Sequence, residues 1–233
     1  MILFSCSNDG PPHNEIDTSY SDLINLSYQR KIGLIRVFKE VALGAEYDNR
    51  FQVTQKWPSA MKIFVGGSPN DELLSELDII KDEINALVSD SFSVNIVSDS
   101  LNANYYLFFG QPQEYTDLFP DQSPYIDDNN YGLFHYNLNN NFEITSGHMY
   151  VNIDIASSDL KKHILREELT QSLGLPNDLQ YDRSSIFWRE LSTVQTYDNV
   201  DINIIRLLYH PNMAPGQDAE RVDDALRDIL KMR

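Results

Sequence analysis

The chain has 233 residues, enough to bury a substantial hydrophobic core without disulfides. Its single cysteine, Cys6, excludes an internal disulfide and a thiolate metal cluster. The 35 Asp and Glu residues outnumber the 18 Lys and Arg residues, and the resulting net charge of -17 argues against binding to nucleic acids or to anionic membrane surfaces. Hydrophobic residues make up 42% of the chain, so the acidic excess lies on a globular background.

The charges are also unevenly distributed along the chain. No Lys or Arg occurs from Asp82 to Leu160, a stretch that contains twelve Asp and Glu residues. Such a stretch is typical of a solvated acidic surface, and the charge pattern alone favours this interpretation over a cation site.

The N-terminal residues carry a short signal of their own. Leu3-Phe4-Ser5-Cys6 is an apolar run that closes on a small residue before a cysteine, and residues 7–14 are polar and rich in turn formers. This segment resembles the lipobox of bacterial lipoproteins. The resemblance implies an exported protein of the cell envelope, at the outer membrane or cell surface, with Cys6 as its lipid anchor and its sole membrane contact. Residues 1–17 are therefore assigned to a signal remnant and tether.

Helical and strand patterns follow one another in the first half of the chain. Apolar residues at helical intervals predict one or two helices within residues 18–47. Residues 61–65 form a compact apolar run that predicts a strand. A cap at Ser68 or Asn70 and an apolar stripe predict an amphipathic helix up to about residue 89.

The middle of the chain is dominated by strand patterns. Strands are predicted at residues 93–97, 104–110, 131–137 and 142–155, the last with alternating polar and apolar residues. Three prolines and many Asp and Asn residues within residues 111–130 predict a long loop between them.

The remaining chain is predicted to be helical. The pattern indicates helices at residues 157–173, 184–191, 198–209 and 219–232. Strands in the middle with helices on both sides predict an α+β fold, in which a long N-terminal helix packs on a mixed sheet beside a central helix and a helical C-terminal part. We expect one domain over residues 18–218, followed by a C-terminal helix in residues 219–233.

The central predicted helix carries the residues of greatest chemical interest. His163, Glu167 and Gln171 are spaced four residues apart and therefore share one face, with Glu168 next to them. Lys161, Lys162 and Arg166 could pair with these glutamates, a purely structural arrangement. In that interpretation Glu167 and Gln171 are hydrogen-bonding supports under the sheet, and no metal is bound.

The spacing Glu167-Glu168-x-x-Gln171-x-x-Gly174-x-x-Asn177-Asp178 resembles the active-site helix of zincin metallopeptidases. The resemblance implies that Glu167 and Gln171 occupy the two helix ligand positions, that Glu168 is the general base, and that Asn177 or Asp178 is the third ligand. Together with Trp57-Pro58 and Leu208-Tyr209-His210-Pro211, the pattern is also similar to a family of uncharacterised bacterial lipoproteins, over roughly residues 30–218. That similarity implies a zincin-like mixed sheet and export.

The metal chemistry remains open among three alternatives. Zinc prefers imidazole and thiolate ligands. His163 would supply one imidazole, and Glu167, four residues later, would supply a carboxylate. An oxygen-rich set of Glu167, Glu168, Gln171 and Asp178 would suit calcium or magnesium instead. The third alternative is a site without metal. His148, on the polar face of a predicted strand, and Asn177 are expected to border the same cleft.

The sequence thus predicts an exported metallopeptidase-like domain that acts on peptides, proteins or envelope polymers. It would be either a metal-dependent hydrolase with non-standard ligands and Glu168 as the base that activates water, or an inactive relative of one. The alternative is a non-catalytic surface module that binds its partner in the zincin-like cleft.

Overall fold

The computed structural model describes residues 21–43, 52–127 and 130–232. Cys6 and the lipobox-like segment lie outside these residues. In chain order, the helices and strands are α1 (Ser21–Asn25), α2 (Tyr28–Ala42), β1 (Met61–Gly67), α3 (Asp71–Leu87), β2 (Val94–Val97), β3 (Tyr105–Gly110), α4 (Pro112–Leu118), β4 (Gly132–Leu138), β5 (Ile144–Asn152), α5 (Ser158–Gln171), α6 (Asn199–Leu208) and α7 (Ala219–Ile229).

The five strands form one mixed sheet in the order β2-β1-β3-β5-β4. The neighbours β2, β1, β3 and β5 run parallel, whereas β4 runs antiparallel to β5 and lies at the edge. The prediction of an α+β fold with a mixed sheet is confirmed.

The helices pack in two groups around this sheet. Helix α5 contacts α3, β4 and β5, while α2 packs against α6 and α7. Helix α7 is joined to α2 by an ion pair from Lys39 Nζ to Asp223 Oδ1 at 3.1 Å, and its Val222 and Leu226 are fully buried. None of the described helices is long and apolar enough to cross a lipid bilayer.

Side-chain caps begin the three helices that matter for the site and its support. Asn70 accepts a hydrogen bond from Leu73 N at the start of α3, and Ser157 accepts one from Leu160 N at the start of α5. Asp198 opens α6 with a capping box that it forms with Asp201. Each cap supplies a partner for a backbone amide that the helix itself leaves unpaired.

The prediction of a long loop over residues 111–130 is wrong. This segment contains α4 and a 3-10 helix, Pro120–Tyr125. A capping box between Gln111 and Glu114, with Pro112 in the first turn, starts α4. The buried Tyr115 then anchors α4 by stacking on Tyr150, with ring centroids 4.5 Å apart.

The predicted short helix at residues 184–191 is also absent from the described chain. Residues in this segment turn back toward Leu179, whose amide donates to Phe187 O at 2.6 Å and whose carbonyl accepts from Arg189 N at 3.0 Å. Ser185 Oγ donates to the buried carboxylate of Asp201 at 2.5 Å. Tertiary hydrogen bonds therefore override the weak helical pattern.

Candidate functional site

An open cleft of about 1060 Å³ runs along the edge of the sheet at β4. It is bounded by β4, by the cleft-facing side of α5 and the turn after it, and by the segment that follows α4. The lining residues are Gln55, Leu118, Phe119, Pro120, Asp121, Gln122, Tyr125, Asn130, Gly132, Leu133, Phe134, His135, Tyr136, Asn137, Leu138, His148, Glu167, Glu168, Gln171, Pro176 and Asp178.

The two walls of the cleft lie on opposite faces of the sheet edge. Helix α5 is so close to β4 that a Cβ on Gly132 would lie 2.4 Å from Ile164 Cγ2 and 3.2 Å from Glu168 Cγ. Only glycine allows this approach. On the other face, His135 lies beside His148, whose ring stacks on Phe119 with centroids 3.8 Å apart. We call residues 118–125 the outer wall and α5 the inner wall.

The edge of β4 lies between these walls with backbone groups available for pairing. The hydrogen bond from Asn152 N to Tyr131 O shows which residues of this strand face β5: Tyr131 does, and so do Leu133 and His135 at two-residue intervals. In an antiparallel pair, every second residue directs its N–H and C=O toward the partner strand. Gly132, Phe134 and Tyr136 therefore direct theirs away from β5. Among the described residues, no further strand pairs with this side.

The inner wall brings Glu167, Glu168 and Gln171 to the cleft, as the sequence predicted for one helix face. The chain then turns sharply at Gly174, which has a φ of +107° and whose Cβ, if present, would lie 1.9 Å from Gln55 O. Both the positive φ and the close approach require glycine. The turn is held in place by Trp57 Nε1, which donates to Ser172 O at 2.9 Å.

Asn177 and Asp178, which follow the turn, point to different parts of the domain. Asp178 lines the cleft, and its Oδ1 accepts a hydrogen bond from Gln171 Nε2 at 2.8 Å. Asn177 is not among the lining residues. Its side-chain amide donates instead to Glu40 O and Leu43 O, at 3.2 and 3.0 Å, and so caps the C-terminal end of α2.

His163 is placed differently from the glutamates that share its predicted face. It is buried, its Nδ1 lies 2.7 Å from Val194 O, and its Nε2 lies 3.3 Å from Glu167 Oε2. It is not among the residues that line the cleft. The imidazole therefore supports Glu167 from behind, within the packed part of the domain.

The residues present do not fit a bound metal ion. Within residues 21–43, 52–127 and 130–232, no group of three or more His, Cys, Asp or Glu residues is arranged to hold one. Gln171 presents its hydrogen-bearing nitrogen to Asp178, so the two side chains satisfy each other directly. The catalytic and ligand roles assigned to these residues therefore stay predictions.

The sequence analysis does not identify the outer wall, because the composition of residues 111–130 predicts a loop there. It contributes Phe119, Asp121 and Tyr125 to the cleft. The signal that would have found it is the Pro112 and Glu114 pair at a helix start, followed by Tyr115 and Phe119 at helical spacing.

The fold and the cleft together define an α+β domain with an acidic groove along one sheet edge. The chain belongs to the family described as "Protein of unknown function (DUF2927)", which matches residues 33–228. No curated protein matches it. Among solved structures, it is similar to one titled "Structure of myroilysin", with 12% identity and a TM-score of 0.38 over 68% of this chain and 97% of that chain. A likeness of this degree does not identify a function.

Proposed function

We propose that the protein binds extended, basic peptides in the cleft, as a strand added to the edge of β4. The observation that carries the proposal is the outer side of β4, with which no other strand of the described residues pairs and which lies between two walls along an open groove of about 1060 Å³. Strand addition to an exposed sheet edge is a general mode of peptide recognition, in which backbone hydrogen bonds supply affinity.

The charges of the cleft support a basic ligand. Carboxylates come from both walls, with Asp121 on the outer wall and Glu167, Glu168 and Asp178 on or just after the inner wall. Among the described residues that line the cleft, none is Lys or Arg. A groove lined by one sign of charge concentrates ligands of the opposite sign.

The proposal includes the lipid anchor that the N-terminal sequence predicts. A lipobox-like Cys6 would hold the domain at the cell envelope, where the ligand would be an exported peptide, a protein segment or an envelope polymer. Mass spectrometry of the mature N-terminus tests this part independently. A diacylated Cys6 supports it, and an unmodified Met1 contradicts it.

Proline substitution at the strand edge tests the binding mode. Phe134→Pro removes an N–H that points away from β5, so it leaves the β4–β5 ladder intact but blocks one hydrogen bond to an added strand. Phe134→Ala removes the same aromatic ring and keeps the N–H. We expect Phe134→Pro to bind a basic peptide about five- to tenfold more weakly than Phe134→Ala does, as for the loss of one hydrogen bond.

The measurement is isothermal titration calorimetry against a library of basic and acidic peptides about ten residues long, a length that spans about 30 Å when extended. Equal affinities of the two variants contradict strand addition. Mass spectrometry of the recovered peptides covers the alternative, since cleavage that requires Glu168 would instead favour a hydrolase.

A further inference from the structure

His148 makes two different contacts with the structure that forms the outer wall. Its Nδ1 lies 2.6 Å from the hydroxyl of Tyr115, a residue inside α4. Its ring stacks on Phe119, directly after α4, with centroids 3.8 Å apart and planes inclined by 8°. One imidazole on β5 therefore contacts both Tyr115 within α4 and Phe119 of the outer wall.

The protonation states of Tyr115 and His148 limit which group can donate the hydrogen bond between them. Burial, followed by the charge of Glu168, raises the pKa of the Tyr115 phenol far above its usual range. Burial, followed by the neighbouring His135, lowers the pKa of His148 to about 4. At neutral pH both groups are therefore neutral, and we assign the phenol as the donor, with Nδ1 as the acceptor and the imidazole proton on Nε2.

The contacts join the outer wall to the strand next to the binding edge. His148 pairs with His135 of β4 in the sheet register, and the two rings lie 5.2 Å apart. A shift of His148 away from Phe119 would thus change the separation between the outer wall and the edge of β4. Two further ring contacts hold this region: Tyr115 stacks on Tyr150, two residues after His148 on β5, and Phe119 meets Tyr106 of β3 edge-on with centroids 5.8 Å apart.

We propose that His148 is a positioning residue, which holds the outer wall at the distance from β4 that admits a peptide strand. The inference rests on the proposed peptide binding and adds the element that sets the width of the groove. His148 contacts the wall through a polar atom and through a ring face, and substitutions separate the two contributions.

Three variants remove the hydrogen bond and the ring stacking of His148 separately or together. Tyr115→Phe removes the hydroxyl and keeps the stacked rings, His148→Phe keeps the stack on Phe119 and loses the hydrogen bond, and His148→Ala loses both. We expect amide hydrogen exchange in residues 112–125 to become about fivefold faster in either phenylalanine variant, as for one lost hydrogen bond, and more than tenfold faster in His148→Ala.

Two further measurements connect this anchoring to function. The nitrogen NMR shifts of wild-type His148 should report the neutral tautomer protonated at Nε2, and Tyr115→Phe should abolish that preference, which a merely space-filling ring would not show. In each variant, the affinity for the peptide should fall by about the same factor by which amide hydrogen exchange in residues 112–125 accelerates. His148→Ala should bind the peptide most weakly.

The outcomes separate the two proposals. A wild-type protein that binds no peptide refutes the proposed function and the positioning role with it. Wild-type binding that His148→Ala leaves unchanged refutes the positioning role alone. Exchange in residues 112–125 that stays at the wild-type rate in His148→Ala also refutes it, because the wall would then be held by other contacts.

Discussion

The two sides of helix α5 use their polar residues in opposite ways. On the side that faces α3, the buried Arg166 pairs with Glu76 at 2.8 Å and with Glu83. On the cleft side, Glu167 and Glu168 line an open groove. Fourteen residues of one helix thus supply both a core ion-pair network and an acidic binding wall.

This difference shows which partners two basic residues of α5 use. The sequence suggested that Lys162 and Arg166 could pair with the glutamates of their own helix. Both instead pair with α3, since Lys162 Nζ lies 2.6 Å from Glu72 Oε1. The basic residues of α5 therefore bind two helices together and leave the glutamate side to the cleft. Local spacing cannot show this, because it depends on where α3 packs.

The largest effect on stability is expected from a substitution on the side of α5 that faces α3. Arg166→Met leaves Glu76 and Glu83 buried or partly buried without their guanidinium partner. We expect the free energy of unfolding to fall by about 3–5 kcal/mol, as for other buried pairs that lose one member. Urea denaturation measures it.

The matched control is Glu168→Gln on the cleft side, which should change the free energy of unfolding by less than about 1 kcal/mol. Similar losses in the two variants would mean that the two sides of α5 do not differ in this way.

A second core carboxylate predicts a pH dependence of stability. Asp201 is buried, and burial followed by the charge of Asp198 raises its pKa from 3.8 to about 7. The folded state therefore retains a proton that the unfolded state loses, so the contribution of Asp201 to stability is fully present below about pH 4 and is lost as the pH rises to about 7. One pKa unit corresponds to about 1.4 kcal/mol, and we expect a loss on the order of 3 kcal/mol over this window.

Asp201→Asn provides the comparison for that loss. The amide keeps an acceptor oxygen for Ile186 N and Asp198 N but cannot ionise. Denaturation at about pH 5 and pH 8 should show a smaller decline in the variant than in the wild type. Equal declines would assign the pH dependence to other groups.

A smaller effect is expected on the cleft side, where function and not stability should change. Glu167→Gln with Glu168→Gln removes two of the four cleft carboxylates. We expect affinity for a basic peptide to fall about tenfold and its salt dependence to weaken, because the lost contribution is electrostatic. Calorimetry at two salt concentrations measures both. Asp99→Asn, which removes one negative charge at an exposed position outside the cleft, is the control. An unchanged affinity would place the ligand elsewhere.

The elements with strong local signals were predictable from sequence. The caps at Asn70 and Ser157 and the glycine at residue 174 mark helix ends through their own chemistry. The outer wall has a weaker signal. Pro112 and Glu114 mark a helix start, but the Pro and Asp residues of the same segment favour a loop. The packing of Tyr115 and Phe119 on β5 decides between the two.

The candidate site was predictable as a group but not in its detail. The structure brings Glu167, Glu168, Gln171 and Asp178 to one cleft, and the roles that their spacing suggested stay predictions. The spacing could not anticipate that Asn177 turns toward the end of α2 or that His163 bonds Val194. Those choices depend on which backbone groups the rest of the chain brings near, since Leu43 lies 134 positions before Asn177 and Val194 lies 31 positions after His163.

The smallest expected effect concerns zinc, for which we expect no shift in the melting temperature of the wild type at about 100 µM. A ligand present at 100 times its Kd stabilises a protein by about 2.7 kcal/mol, so a micromolar site would raise the melting temperature by several degrees. The wild type should show no such rise, since Gln171 donates through Nε2 to Asp178 and could offer zinc only its amide oxygen, a weak ligand beside imidazole or thiolate.

Glu167→His with Gln171→His is the matched gain-of-function variant. Two imidazoles at i, i+4 spacing would replace the poor ligands, and loss of the Gln171 hydrogen bond would release Asp178 Oδ1 as a third donor. We expect zinc to raise the melting temperature of this variant and to bind with about 1:1 stoichiometry. Stoichiometric zinc in the purified wild type would contradict the metal-free cleft, whereas a silent double variant would mean that the inner wall cannot orient a zinc site at all. A response in the variant alone would show that side-chain identity, and not the geometry of α5, separates this cleft from a metal centre.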